Sequence, residues 1–464
     1  MLALSAVSSH KGSVDHIPIT RLDGLAHFLR VKGHTLLIKG EPGCGKTTLA
    51  LRIMEEFGDG NGIYISSRVS ETKLYTQISY ADKLLSGGKF VDVRLDTLES
   101  IIRRMLELRG DNQDVLVVLD TWDGLAKELD DKTRIKTEKT LIALADGSNA
   151  RFIFVSEEPT KTTMDYLVDG IVELLRTEES GRIIREIVVH KLRGTPIEQH
   201  RYLFSLVGGK FNHVPPYVEP DYAKSKTPKP KKDPDPDTYS YGSILDEVFG
   251  GIPKGTTLTI EYQENVPYSA IRLITIPLAI NFLNMGRSCL YIPLLGANPK
   301  QVVDIFKPHV STEALTQRLR VASAPRQGNK NDEPFFQIER KPVADSHLDV
   351  SRVVEELKSK SKDGKALVVD GISLLENMFS SDIERLVESL ADRVIRTQRD
   401  GDLTVFMLPS RSRLLSQVLS MTQTHIKLWI KDRSVIMAGE KPITDTYTIW
   451  PHDNPILPEY IKIV

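Results

Sequence analysis

The sequence predicts an α/β protein with mainly parallel central sheets, built as two halves of one plan. Three observations predict this. Short apolar runs alternate with helical stretches through both halves, an order that lays helices over a parallel sheet. A glycine-rich loop stands between the first such run and a helical stretch in the N-terminal half. Beyond a proline-rich stretch the same strand and helix pattern returns without that loop, as two domains of one ancestry would show.

Taken in order, residues 20–31 read as a short helix with Thr20 as its N-cap. Residues 34–39 read as a buried strand. Gly40-Glu41-Pro42-Gly43-Cys44-Gly45-Lys46-Thr47 then fits G-x-x-x-x-G-K-[ST], and the segment from Thr48 has apolar residues at helical spacing. Glycines let the backbone wrap a phosphate with successive N–H groups turned inward. The start of a helix adds a favourable dipole for an anion. Lys46 is therefore expected to reach the β- and γ-phosphates of ATP and the Thr47 hydroxyl to ligate Mg²⁺. Residues 40–48, Thr48 included, form the expected nucleotide-binding set.

Residues 62–66 and 90–93 read as the second and third strands. Residues 96–108 form an amphipathic pattern whose start, Asp96 with Glu99, resembles a capping box. The apolar run of residues 114–120 suits a strand buried on both faces. It ends in Asp120, where a second Mg²⁺-holding carboxylate belongs. Residues 151–156 make another strand. Residues 214–238 are rich in proline and carry a basic patch at 224–232, a composition that suits a solvated, semi-extended spacer. The expected organisation is an ATP-binding domain at 1–211, a Pro/Lys-rich linker at 212–240, and a degenerate domain at 241–464.

In the second half, residues 256–260 precede the place of a phosphate loop, 287–292 parallel 62–65, and 365–370 parallel the strand ending in Asp120, with Asp370 in the carboxylate's place. Aligning Ile260 with Ile38 sets Tyr262, Asn265, Pro267 and Tyr268 against Gly40, Gly43, Gly45 and Lys46, and Ser269 against Thr47. Side chains then fill the phosphate nest and the lysine charge is gone. The extra length lies in a polar insertion, residues 325–346, around Phe335 and Phe336. The helical stretch 383–396 is expected to pack on the sheet.

Composition narrows the function. A formal net charge of −1 gives no overall basic excess for nucleic acid. Two cysteines, Cys44 in the loop and Cys289 in a strand, exclude a disulfide framework and fit a reducing compartment. Cys44 reads as a small residue tolerated in the loop. The N-terminus lacks the basic start of a signal peptide. The longest apolar run, 273–283, is broken by Pro277 and Asn281. A cytoplasmic protein without membrane spans is expected.

Four stretches then carry a resemblance. Ser156-Glu157-Glu158-Pro159 with Tyr166-Leu167-Val168-Asp169-Gly170-Ile171-Val172-Glu173-Leu174, His190-Lys191-Leu192-Arg193-Gly194-Thr195, and Leu245-Asp246-Glu247-Val248-Phe249-Gly250-Gly251-Ile252-Pro253-Lys254-Gly255 are similar to segments of the RecA-type ATPases of the KaiC-like branch. Within that branch, Tyr64-Ile65-Ser66-Ser67-Arg68-Val69-Ser70, and one good phosphate loop paired with one broken, resemble the archaeal gas-vesicle regulator group GvpD. The resemblance implies two RecA-like P-loop domains, ATP with Mg²⁺, and a homo-oligomeric ring. It implies that Lys191 and Arg193 project onto the γ-phosphate of a neighbouring subunit, completing a catalytic set of Lys46, Asp120, Lys191 and Arg193.

One departure bears on activity. The family places a glutamate after the second strand to polarise the attacking water. Here that place reads Ser66-Ser67-Arg68-Val69, and a cation cannot act as the base. Glu71, Asp123 and Glu157 are the candidate substitutes. The expected function is an ATP-binding, at most slowly ATP-hydrolysing regulator whose nucleotide state controls assembly or contact with a regulatory protein partner. A RecA-like DNA-handling ATPase of recombination or repair is the alternative, resting on residues 127–139 where such proteins carry DNA loops. The absence of a separate DNA-binding module and of basic charge disfavours it.

Overall fold

The computed structural model describes residues 19, 22–94, 114–127, 129–323, 334–339, 341–451 and 454–464. The chain forms two compact units: one runs to Pro215 and takes in Lys462–Val464, the other is Pro216–Ile461.

The first unit is organised by a nine-stranded sheet of β1 (Thr35–Gly40), β2 (Gly62–Ser66), β3 (Phe90–Asp92), β4 (Leu116–Asp120), β5 (Arg151–Val155), β6 (Gly170–Glu179), β7 (Arg182–Leu192), β8 (Arg201–Ser205) and β9 (Asn212–His213). Their spatial order is β3-β2-β4-β5-β1-β6-β7-β8-β9. Pairings from β3 through β6 are parallel, and those beyond β6 are antiparallel. One strand, β5, therefore separates the loop strand β1 from the Asp120 strand β4. β4 is buried on both faces because its residues alternate between two cores. Leu116 and Val118 join the cluster under α2 (Lys46–Phe57), while Val117 and Leu119 join the cluster on the opposite face. The ends of β1, β2, β4 and β5 thus meet at one edge, where open α/β sheets bind their ligands.

The helix expected at residues 20–31 is α1 (Asp23–Arg30), entered from Leu22; Thr20 lies outside the described residues, as does the helix expected at 96–108. In the first unit α3 (Glu71–Gln77), α4 (Ala81–Leu84), α5 (Trp122–Ala126), α6 (Asp131–Ser148) and α7 (Thr163–Leu167) follow. The 127–139 stretch is therefore largely the start of α6, N-capped by Asp130. Its Arg134 is engaged with the buried Glu138, which also accepts from the Trp122 indole at 3.1 Å.

The second unit repeats the sheet. After the short pair β10 (Thr238–Tyr239) and β11 (Ile252–Pro253) come β12 (Thr256–Tyr262), β13 (Ser288–Ile292), β14 (Leu319–Ser323), β15 (Phe335–Gln337), β16 (Ala366–Gly371), β17 (Leu403–Pro409), β18 (Thr424–Lys431), β19 (Ser434–Lys441), β20 (Ile443–Trp450) and β21 (Glu459–Ile463). Their order, β15-β14-β13-β16-β17-β12-β18-β19-β20-β21, matches that of the first sheet strand for strand, with β15 as an added edge strand. That edge strand comes from the 325–346 insertion, of which residues 325–333 and 340 lie outside the described residues. The stretch 383–396 does pack on the sheet, burying Leu386, Leu390 and Val394.

Two readings are corrected here. The proline-rich stretch is not a solvated spacer. From Pro216 it belongs to the second unit, where Tyr217 and Tyr222 pack on the core. Lys231 donates to the Ser243 carbonyl at 2.8 Å, and Asp233 pairs with Arg287 at 2.5 Å. Prolines remove backbone donors, so such a stretch can lie against a surface without joining a sheet. The second correction concerns Asp370. Tyr291 lies beside Val369 as Tyr64 lies beside Val118, so the counterpart of Asp120 is Gly371. A one-residue offset in a strand turns a side chain to the other face. Asp370 accordingly faces away from α9 (Tyr268–Asn284), among the cluster that includes α13 (Ile383–Asp400), and forms a buried ion pair with Arg393. Between α9 and α13 run α10 (Pro299–Phe306), α11 (Val343–Ser359) and α12 (Ile372–Met378), with α8 (Leu245–Phe249) before them and α14 (Leu415–Ser420) after.

Candidate functional site

The 40–47 loop leaves β1 and enters α2 through backbone that only glycine adopts freely. Gly40 has φ +145°, and a Cβ there would lie 2.5 Å from the Leu174 carbonyl oxygen. Gly45, at φ +107°, precedes the first turn of α2, and a Cβ there would lie 2.9 Å from the Leu206 side chain. A side chain at either position would collide with its neighbours, so both need glycine, and the positive φ angles they allow suit a phosphate nest. Glu41, Pro42 and Gly43 lie at its exposed rim, while Cys44 is buried, its thiol pushed up by burial.

Lys46 is only 5% exposed, and its Nζ donates to the carbonyls of Gly40 at 2.7 Å and Glu41 at 2.8 Å. One residue on, the Thr47 hydroxyl donates to Asp120 Oδ2 at 2.6 Å. The expected pair of metal-holding groups is thus brought together from α2 and the end of β4. Both are oxygen donors, which suits Mg²⁺. Burial raises the Asp120 carboxyl above its ordinary range, and hydrogen bonds from Thr47 and Tyr64 oppose that rise. Tyr64 is fully buried and its hydroxyl donates to the same Oδ2. This third partner was not foreseen in the sequence, although the register sets Tyr64 beside Val118, two residues from Asp120 on the same face.

A cleft of about 450 Å³ opens over these groups, lined by the loop, Thr47, Thr48, Asp120, Arg68, Glu157, residues of α3 and Leu206. Arg68, placed where the family's glutamate is expected, pairs with Glu157. Glu157 Oε1 also lies 3.4 Å from Lys46 Nζ. The other candidate acids are engaged elsewhere. Glu71 accepts from the Tyr75 hydroxyl at 2.7 Å within α3, and Asp123 accepts from Ser156 Oγ at 3.0 Å and from the Glu157 amide at 2.5 Å. Arg185 of β7, also missed in the sequence, reaches the carbonyls of Gly43 and Cys44 at 3.4 Å.

Lys191 and Arg193 are not brought to this cleft within the chain. Lys191 Nζ donates to the Val168 carbonyl at 2.6 Å, closing the end of α7, and burial lowers its pKa. Arg193 pairs with Asp169 at 2.8 Å, whose other oxygen accepts from the Thr35 hydroxyl at 2.8 Å.

The corresponding place in the second unit is closed. Five residues lie between the end of β12 and the start of α9, as between Gly40 and Lys46, so Tyr262, Tyr268 and Ser269 stand for Gly40, Lys46 and Thr47. Tyr262 is buried, Tyr268 donates its hydroxyl to the Leu295 carbonyl at 2.9 Å, and Ser269 is bonded to the Tyr217 hydroxyl at 2.8 Å. Neither Lys46 nor Gly40 has a like residue at its counterpart there, and Gly371 stands in the place of Asp120. Among the described residues no helix is long and apolar enough to cross a membrane.

Residues 25–190 match the family model of the P-loop domain of the GvpD gas vesicle protein. Protein GvpD2 of Halobacterium salinarum is 23% identical over 481 aligned positions, covering 94% of this chain and 96% of that protein. Protein GvpD1 of the same organism is 26% identical over 299 positions, 59% of this chain and 56% of that one. The crystal structure of a KaiC-like protein from Pyrococcus horikoshii aligns with 40% of this chain and 90% of its own, at 20% identity and a TM-score of 0.35.

Proposed function

We propose, from the match of residues 25–190 to the GvpD P-loop domain model, that the first unit binds Mg-ATP, hydrolyses it slowly, and through its nucleotide state governs assembly or contact with a regulatory protein partner. The observation that carries this reading is the junction of Thr47, Asp120 and Lys46 beneath a glycine cradle, in a cleft large enough for a nucleotide. Backbone N–H groups of the loop and the start of α2 would hold the phosphates. The Lys46 amine, resting on two loop carbonyls, sits on a flexible stem that can turn to them. Thr47 and Asp120 would hold Mg²⁺, which when bound offsets phosphate charge.

Slow turnover follows from Arg68 standing where an acid is expected. Linkage to assembly rests on Lys191 and Arg193. Each is tied within its own chain, so reaching a neighbour's phosphate would require release from Val168 and Asp169. Bound nucleotide would then favour the assembled form, because a ligand stabilises the state it contacts more. The second unit would serve packing or partner binding. The family's description as a gas vesicle protein supports a role connected with gas vesicles.

Calorimetric titration with Mg-ATP tests the first claim. One site per chain is expected, lost in Lys46→Ala. A stoichiometry near two, or unchanged binding by Lys46→Ala, refutes it.

A further inference from the structure

We propose that Glu157 is the residue that polarises the attacking water, and that Arg68 restrains it. The inference rests on the reading that the first unit hydrolyses ATP. It begins with topology. β5 lies between β1, which carries the phosphate loop, and β4, which carries Asp120. The end of β5 is therefore the one strand end flanked by both. Glu157 is the second residue beyond it, and among the described acids it alone joins Asp120 in lining the cleft. Its Oε1 stands 3.4 Å from the amine of Lys46, the group placed to meet the γ-phosphate.

Its backbone is fixed from both sides. The Ser156 amide donates to the Ile38 carbonyl of β1 at 2.9 Å. The Glu157 amide and the Ser156 hydroxyl donate to the two oxygens of Asp123, at 2.5 and 3.0 Å. Asp123 is thus a positioning residue. The side chain of Glu157 is 27% exposed, and its two charged contacts are to long cationic side chains, the buried Lys46 and the half-exposed Arg68. Both cations are of the kind that a triphosphate attracts, so nucleotide entry would draw them off the carboxylate.

The step balances without a further reactant. The water oxygen bonds to Pγ while the bond from Pγ to the bridging oxygen breaks. ADP leaves with that electron pair, and the water proton passes to the Glu157 carboxylate and on to solvent. While Arg68 holds its oxygen, the carboxylate must be released before it can accept the proton of the water. Arg68 thereby supplies a physical cause for slow turnover.

The test compares wild type, Glu157→Gln, Arg68→Gln and the double variant, with Lys46→Ala as background. Turnover of Mg-ATP is measured beside calorimetric binding of Mg-ATPγS. Glu157→Gln should bind the analogue as wild type does and lose about 10²-fold or more in turnover, the scale of general-base catalysis. Arg68→Gln should raise turnover, and the double variant should stay as low as Glu157→Gln. A Glu157→Gln variant that turns over like wild type, or that no longer binds the analogue, overturns the assignment. Arg68→Gln lowering turnover overturns the restraint. Wild type with no turnover above Lys46→Ala shows instead that the hydrolysis reading itself has failed.

Discussion

Replacing Tyr64 by Phe removes one hydroxyl from Asp120, the carboxylate proposed to hold Mg²⁺, and leaves the rest of the cleft in place. Tyr64 is fully buried, and its hydroxyl shares Asp120 Oδ2 with Thr47. A hydrogen bond to a charged acceptor contributes about 1.5–3 kcal/mol. Its loss should therefore move the Asp120 pKa further up. The direction follows from the site. Burial already lifts this carboxyl, the two hydroxyls hold it down, and Mg²⁺ is held only by the ionised form. Affinity for Mg-ATP therefore falls as pH drops through the Asp120 pKa, and in Tyr64→Phe that fall begins at higher pH. Stability runs the other way. Because the native pKa lies above the unfolded one, Asp120 contributes favourably at low pH, and the contribution is lost as pH rises through the native value. Calorimetric titration with Mg-ATPγS from acid to neutral pH reads the first effect. Superimposable acid limbs for wild type and Tyr64→Phe would refute the coupling of Tyr64 to the metal-holding carboxylate.

Three further outcomes are expected. Arg393→Met strands the fully buried Asp370 without its partner and should cost about 3–5 kcal/mol in the unfolding of the second unit, with much of the loss restored by adding Asp370→Asn; an Arg393→Met chain of wild-type stability contradicts the ion pair. Burial pushes the Glu261 carboxyl up, but His425, Ser410 and Lys427 outweigh it and hold the pKa at about 2, so its stabilisation is full above the ordinary glutamate pKa and fades as pH falls toward 2. Glu261→Gln should therefore lose on the order of 3 kcal/mol at neutral pH and approach wild type in acid, and denaturant melts showing a pH-independent difference would exclude that account. Lys191→Ala with Arg193→Ala should weaken ATP-dependent assembly in sedimentation while the chain stays folded by circular dichroism; a wild type that stays monomeric with and without ATP returns both residues to their contacts with Val168 and Asp169.

The phosphate loop, its lysine and threonine, and Asp120 were legible in the sequence because each is a local matter. A glycine nest needs closely spaced glycines between a strand and a helix, and a buried parallel strand announces itself as an unbroken apolar run. The loss of the second loop was legible for the same reason, since Tyr262 and Pro267 take the places of Gly40 and Gly45 and Tyr268 takes that of Lys46. What only the tertiary structure decided depends on neighbours distant in the chain. Asp370 looked like a second Asp120, but a strand carries no mark of its facing, and register against β13 turned it toward Arg393. The proline-rich stretch looked like a spacer, because composition does not say that Tyr217 will meet Ser269. Glu71, Asp123 and Glu157 were equal candidates along the chain. The order of the strands separated them, by setting the end of β5 between the loop and Asp120 and turning Asp123 into its anchor.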